Sequence, residues 1–161
     1  MKGNYLDKLR ALSTKMHEKA RVKHGAINVK DIIKVALTRE DGLTLNGPYD
    51  TREKYIVIVG KNENGDLLGT LLINHDVAAF IRADEDMFNA QYLLQQKQYP
   101  AFLKQDSWLD CTELFVLSAQ KIVDRNGEKV AELNQDDFDR VRHTIATTEY
   151  IEPPEKAMFG L

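Results

Sequence analysis

The sequence predicts an α+β fold, mainly β with flanking helices, whose centre is a small curved antiparallel sheet closed as a barrel. Three observations predict it. The elements read helix, then five or six short strands, then helix. The first three strands follow one another with no helix between them long enough for a crossover. Short strands expose edges, and closure removes those edges.

The first helix is read over residues 4–23, where Tyr5, Leu9, Leu12 and Met16 fall on one stripe and Asn4 caps the start with Asp7 three positions on. Residues 1–24 carry a charge of +5, so the remaining 137 carry -8. Two uses are open to this segment: a solvated helix packed on its own domain, or a basic helix for RNA or an acidic partner. From Val29 the period becomes that of a sheet. Ile33, Val35 and Leu37 share one face, and Tyr55 to Gly60 is almost continuously apolar, as in a strand covered on both sides. The polar stretch from Thr38 to Glu53 between them is a long loop, marked by Asp41-Gly42 and Asn46-Gly47-Pro48. A hairpin turn at Asn64-Gly65 leads to a third strand ending at Asn74.

The segment from His75 to Leu103 leaves helix and strand both open, with Pro100 limiting any regular element. Leu114 to Leu117 reads as a buried strand, Ile122-Val123 as a second short one, and a turn at Asp124 to Gly127 leads to another strand in KVAEL. Asn134 then caps a helix with Asp137 at its third position and Phe138, Val141 and Ile145 as its apolar stripe. The tail, with Pro153-Pro154, is expected to be irregular. Its Met158 and Phe159 either fold back onto the domain or meet a partner. The domain plan is therefore a helical extension over 1–24, a barrel domain with its C-terminal helix over 25–148, and a tail over 149–161.

Composition excludes several classes. At 161 residues the chain is one domain, and 43% hydrophobic residues suffice for a core. A net charge of -3 does not announce a nucleic-acid binder, although a local patch is compatible with it. The single cysteine, Cys111, precludes an intrachain disulfide and a thiolate zinc cluster, and it is expected in the core. No apolar run approaches the roughly 18 residues of a membrane span, and the first residues lack a signal-peptide pattern, so a cytoplasmic protein without membrane contact is expected. His17, His24, His75 and His143 form no close pair, and neither a calcium loop nor a glycine-rich nucleotide loop is present, so no metal and no cofactor are expected.

The segments DIIKVAL, TREKYIVIVG, GTLLIN and ELFVLSAQKI, in that order, resemble the MazF/PemK-like toxins over roughly residues 29–146. The resemblance implies an SH3-like barrel, a homodimer, an antitoxin-like partner and cleavage of single-stranded RNA. It places Arg52 at the scissile phosphate. Where the family has Thr or Ser after the following strand this chain has Asn74, and Arg52 is followed by Glu53 rather than proline. Asparagine cannot titrate, so His75 must supply the acid or base. Such cleavage needs no metal, and a guanidinium and an imidazole suit its charge and its proton transfers. Lys54 and Lys61 flank the second strand as candidate RNA contacts.

Each of these residues also has an ordinary use. Arg52 pairs with Asp50 or Glu53, His75 caps a turn, and the two lysines are solvated. Trp108, Ser107, Asp110 and Cys111 form the most concentrated set in the chain, with Asp106 and Asp110 placed to clamp a loop. Two functions follow: a toxin-type endoribonuclease using Arg52, Asn74 and His75, or a catalytically silent module that binds protein or RNA in a toxin-antitoxin or phage-defence setting.

Overall fold

A computed structural model describes residues 6–12 and 26–161. Residues 6–12 are helical (α1), with Leu6, Leu9 and Leu12 exposed, whereas the expected cap at Asn4 and the stripe positions Tyr5 and Met16 lie outside the described residues. Seven strands follow: β1 (Asp31–Thr38), β2 (Thr51–Lys61), β3 (Leu67–Asn74), β4 (Gln91–Leu94), β5 (Ser107–Asp110), β6 (Phe115–Ser118) and β7 (Glu128–Glu132). Between and after them lie α2 (Ala79–Arg82), α3 (Glu85–Asn89), α4 (Ala119–Asp124), α5 (Gln135–Thr147) and α6 (Pro153–Met158). Among the described residues no helix is long and apolar enough to cross a membrane.

All pairings are antiparallel, in the order β4-β5-β3-β2-β1-β7, with β6 beside the first half of β3. The expected antiparallel α+β character is present, but the expected barrel is not. β4 and β7 end the sheet and do not pair with each other, so the sheet stays open. The physical reason lies in β2 and β3, which are apolar on both faces. Val57, Val59, Leu71 and Ile73 enter one core with Phe138, Val141 and Ile145 of α5. Ile56, Ile58, Leu68 and Leu72 enter a second core with Ile33, Val35, Leu37, Phe115 and Ile122. A sheet with a core on each face is an open layer between two covers, and the SH3-like and MazF/PemK-like assignments fall with the barrel.

β2 is longer than its apolar run. Its polar start pairs along β1, from Lys54 opposite Val35 to Thr51 opposite Thr38, so Arg52 and Lys54 are strand residues with fixed faces. The hairpin turn between β2 and β3 forms as expected, with Gly65 at φ 74° and its N–H donating to the Asn62 carbonyl at 3.0 Å. Asp41, in the 3-10 turn after β1, has a fully buried side chain that accepts the Thr38 N–H at 2.8 Å and pairs with Lys121 of α4 at 2.9 Å and with Arg125. Burial pushes its carboxyl up, but the hydrogen bonds from Arg125 and Lys121 outweigh this and hold it well below the usual carboxylate range.

Two elements depart from the sequence expectation. Ile122-Val123 lies in α4 rather than in a strand, because the Ser118 hydroxyl accepts the Lys121 N–H at 3.0 Å as a cap and Ile122 is buried in the second core. The tail is helical in α6, because Pro153 and Pro154 occupy its first turn, where a missing N–H costs nothing. α5 matches its prediction, with the Asn134 side chain accepting the Asp137 N–H and Phe138, Val141 and Ile145 buried. Of the tail pair, Phe159 folds back and is 4% exposed, while Met158 is 51% exposed. Phe159 sits over Gly60 and Gly69, which face each other across β2 and β3.

Candidate functional site

Strand alternation carries the second core's face past its apolar part. Ile58 and Ile56 are followed on that face by Lys54 and Arg52, and Leu68 and Leu72 lead to Asn74. Leu109 points into the first core, which turns its neighbour Trp108 to the opposite face. The registers place Asn74 opposite Trp108 and Trp108 opposite Leu93, and Lys54 and Asn74 each lie one residue beyond the Tyr55–Ile73 pair of β2 and β3, so the four form one cross-strand row. At about 4.8 Å between strands, the row spans about 14 Å.

Its side chains interact. Lys54 Nζ donates to Asn74 Oδ1 at 2.8 Å. Burial and then the neighbouring Arg52 charge lower the Lys54 pKa. Asn74 spends its carbonyl oxygen on this contact and keeps its NH₂ group as a donor. Trp108 packs against Phe88 of α3 at a centroid distance of 5.4 Å, and the Arg82 guanidinium lies 5.9 Å from the Trp108 ring and 5.6 Å from the Phe88 ring. Arg82 also pairs with Asp76 at 2.9 Å. Asp110, two residues beyond Trp108 on the same face, is engaged by Gln91 at 2.8 Å and by the Thr112 hydroxyl at 2.6 Å. Beyond Arg52, the loop before β2 leaves a hollow of about 280 Å³ whose lining includes Thr44, Asn46, Tyr49 and Arg52.

The predicted site residues thus divide. Arg52, Lys54 and Asn74 share one face. Arg52 uses neither of its expected ion-pair partners, since Asp50 lies 3.8 Å from Arg39 and Glu53 lies 3.5 Å from Lys34. His75 lies just past β3 and is exposed. Its main-chain carbonyl accepts from Gln105 at 3.2 Å, and among the described residues no hydrogen bond joins its ring to Arg52 or Asn74. Lys61 is at the far end of β2, seven residues and about 24 Å from Lys54. Asp106 and Asp110 clamp their loops as expected, by accepting the N–H groups of Gln96 at 2.8 Å and Thr112 at 3.0 Å. Cys111 is fully buried in the first core, and burial with the nearby Asp110 charge pushes its thiol up to about 12. Sequence reasoning did not connect Arg82, Phe88 and Trp108 with Lys54. Trp108 stood out as the single tryptophan in a dense segment, but only the β3 to β5 register joins it to Asn74.

Among the described residues no group of three or more histidine, cysteine, aspartate or glutamate side chains is arranged to hold a metal ion. Compared with known protein families and with curated proteins, the chain matches none. Together with the open sheet, this removes the grounds on which the toxin-antitoxin and endoribonuclease assignments rested.

Proposed function

We propose that the open half of this sheet face binds a single-stranded nucleic acid and holds it by charge and stacking. The observation that carries the reading is the row of Lys54, Asn74 and Trp108, flanked by the guanidinium groups of Arg52 and Arg82. Cations along a sheet face meet phosphates, a tryptophan offers a base a stacking surface, and an asparagine amide donates to a base edge or a phosphate oxygen. A duplex hides its base faces, so the pairing of cations with an aromatic ring favours a single strand. Tyr49, 74% exposed in the lining of the Arg52 hollow, extends the aromatic surface at that end. The overall charge of -3 opposes long-range attraction, so the affinity rests on local contacts and is modest. The reading is of binding without cleavage, because Asn74 does not titrate and His75, the only histidine near the row among the described residues, is outside it.

Anisotropy of a labelled mixed-sequence 12-nucleotide RNA, titrated with protein at several salt concentrations, tests this. With Arg52, Lys54 and Arg82 as the phosphate contacts, the slope of log affinity against log salt is expected to be no steeper than about -2. Lys54→Ala and Arg52→Ala should each flatten it by about 0.7. Trp108→Ala should weaken binding by about 1–3 kcal/mol, whereas Trp108→Phe, which keeps an aromatic face, should lose less. A DNA strand of the same sequence reports whether the 2'-hydroxyl is read. No binding at low salt, equal competition by duplex, or affinity unchanged by the Lys54, Arg52 and Trp108 variants would reject the reading.

A further inference from the structure

On the other side of α3 lies a cavity of about 550 Å³, within the size range of small-ligand sites. Asp86 and Asn89 of α3 form one wall, at a helical spacing that turns them away from Phe88 and the sheet row. The last turn of α5, with Thr144 and Thr147, and the following Glu149 and Tyr150 form the other. We propose that this cavity binds a small aliphatic polyamine, held by its ammonium groups.

The hydrogen-bonding capacity of the walls points to that ligand class. The Thr144 hydroxyl donates to the Arg140 carbonyl at 2.9 Å and the Thr147 hydroxyl to the His143 carbonyl at 3.0 Å, so both present only lone pairs to a ligand. Asp86 and Glu149 are acceptors, and among the described residues no lysine or arginine lines the cavity. The Asn89 amide and the hydroxyls of Tyr150 and Thr148, the latter accepting the Tyr150 N–H at 3.3 Å, are the side-chain groups left to donate. Desolvation and the carboxylates of Asp84, Asp86 and Glu149 raise the Tyr150 pKa, in keeping with a negative potential at the cavity mouth. The C-terminal end of α5 adds the negative end of a helix dipole, offset in part by Lys156, whose ammonium donates to the carbonyls of Ala146 at 3.2 Å and Thr148 at 2.6 Å from outside the lining. A ligand that supplies donors and positive charge is complementary to such walls. Two carboxylates on opposite sides suit a diamine, and the exposed Tyr150 ring suits its methylene chain or an ammonium.

The proposal is independent of the nucleic-acid reading, since it uses none of Arg52, Lys54, Arg82 or Trp108. Calorimetric titration of the full chain with 1,6-diaminohexane, and in parallel with 1,6-hexanediol, tests it with two probes of equal length that differ in charge. The diamine is expected to bind and the diol not to. The double variant Asp86→Asn with Glu149→Gln keeps the side-chain shapes at two exposed positions and should weaken diamine binding at least tenfold, with circular dichroism confirming an unchanged fold. No measurable diamine binding, equal binding of the diol, or a double variant that binds as well as wild type would overturn the proposal.

Discussion

Placing a methyl group on Gly69 should unseat the C-terminal tail, and removing the ring of Phe159 should make the same methyl harmless. A Cβ built on Gly69 would lie 2.9 Å from Phe159 Cγ and 3.1 Å from Cδ2, closer than carbon atoms pack. Phe159 is 4% exposed in the first core, so the ring has little room to yield. Gly69→Ala is therefore an overpacking change and is expected to cost about 1–3 kcal/mol. Phe159→Ala empties the site and should cost about 3–5 kcal/mol. In the Phe159→Ala background the clash is gone, and Gly69→Ala should become neutral or stabilise by about 0.5 kcal/mol, because glycine inside a strand loses more chain entropy than alanine. The two changes should thus couple by about 2 kcal/mol, read from urea unfolding of the four proteins followed by circular dichroism. Gly60→Ala is the control. Its Cβ would meet the Phe159 carbonyl oxygen, and the Phe159 Cβ at 2.7 Å, atoms that alanine retains, so its coupling to Phe159→Ala should be much smaller. Effects of Gly69→Ala and Phe159→Ala that add within about 0.5 kcal/mol would refute the reasoning.

Two further outcomes follow from buried groups. Asp41→Asn leaves Lys121 and Arg125 without their shared carboxylate and should destabilise by about 3 kcal/mol at neutral pH in thermal or urea unfolding. Because the folded-state pKa of Asp41 is depressed, its contribution is complete above the ordinary value of 3.8 and is lost as the pH falls below that toward the folded value, so the gap between wild type and variant should narrow in acid. Cys111, fully buried with its thiol pushed up to about 12, should resist a thiol reagent at pH 8 in the folded protein and react once urea unfolds it; equal rates in both states would contradict its placement.

The sequence by itself determined the elements whose signals are local. The Asn134 cap with its Phe138, Val141 and Ile145 stripe and the Asn64-Gly65 turn each depend on residues within a few positions of one another, and β1 to β3 pair with their neighbours in chain order. It also held the fact that excludes a barrel, since an apolar run such as YIVIVG reads as a strand covered on both sides, and the two cores on either side of β2 are that cover. What the run does not contain is the identity of the covers. α5 and Phe159 on one face, and α4 on the other, are placed by packing between segments up to a hundred residues apart in the chain. α4 ran against its local signal because the Ser118 cap and the burial of Ile122 outweigh its β-branched content, and α6 because its two prolines occupy first-turn positions that suit them. The candidate site follows suit. Arg52, Lys54 and Asn74 were legible as polar residues at strand ends, but that Lys54 meets Asn74, Asn74 faces Trp108 and Arg82 lies over its ring was decided by strand register and by the path of the chain through α2 and α3, because cross-strand neighbours are set by pairing in space and not by spacing in the sequence.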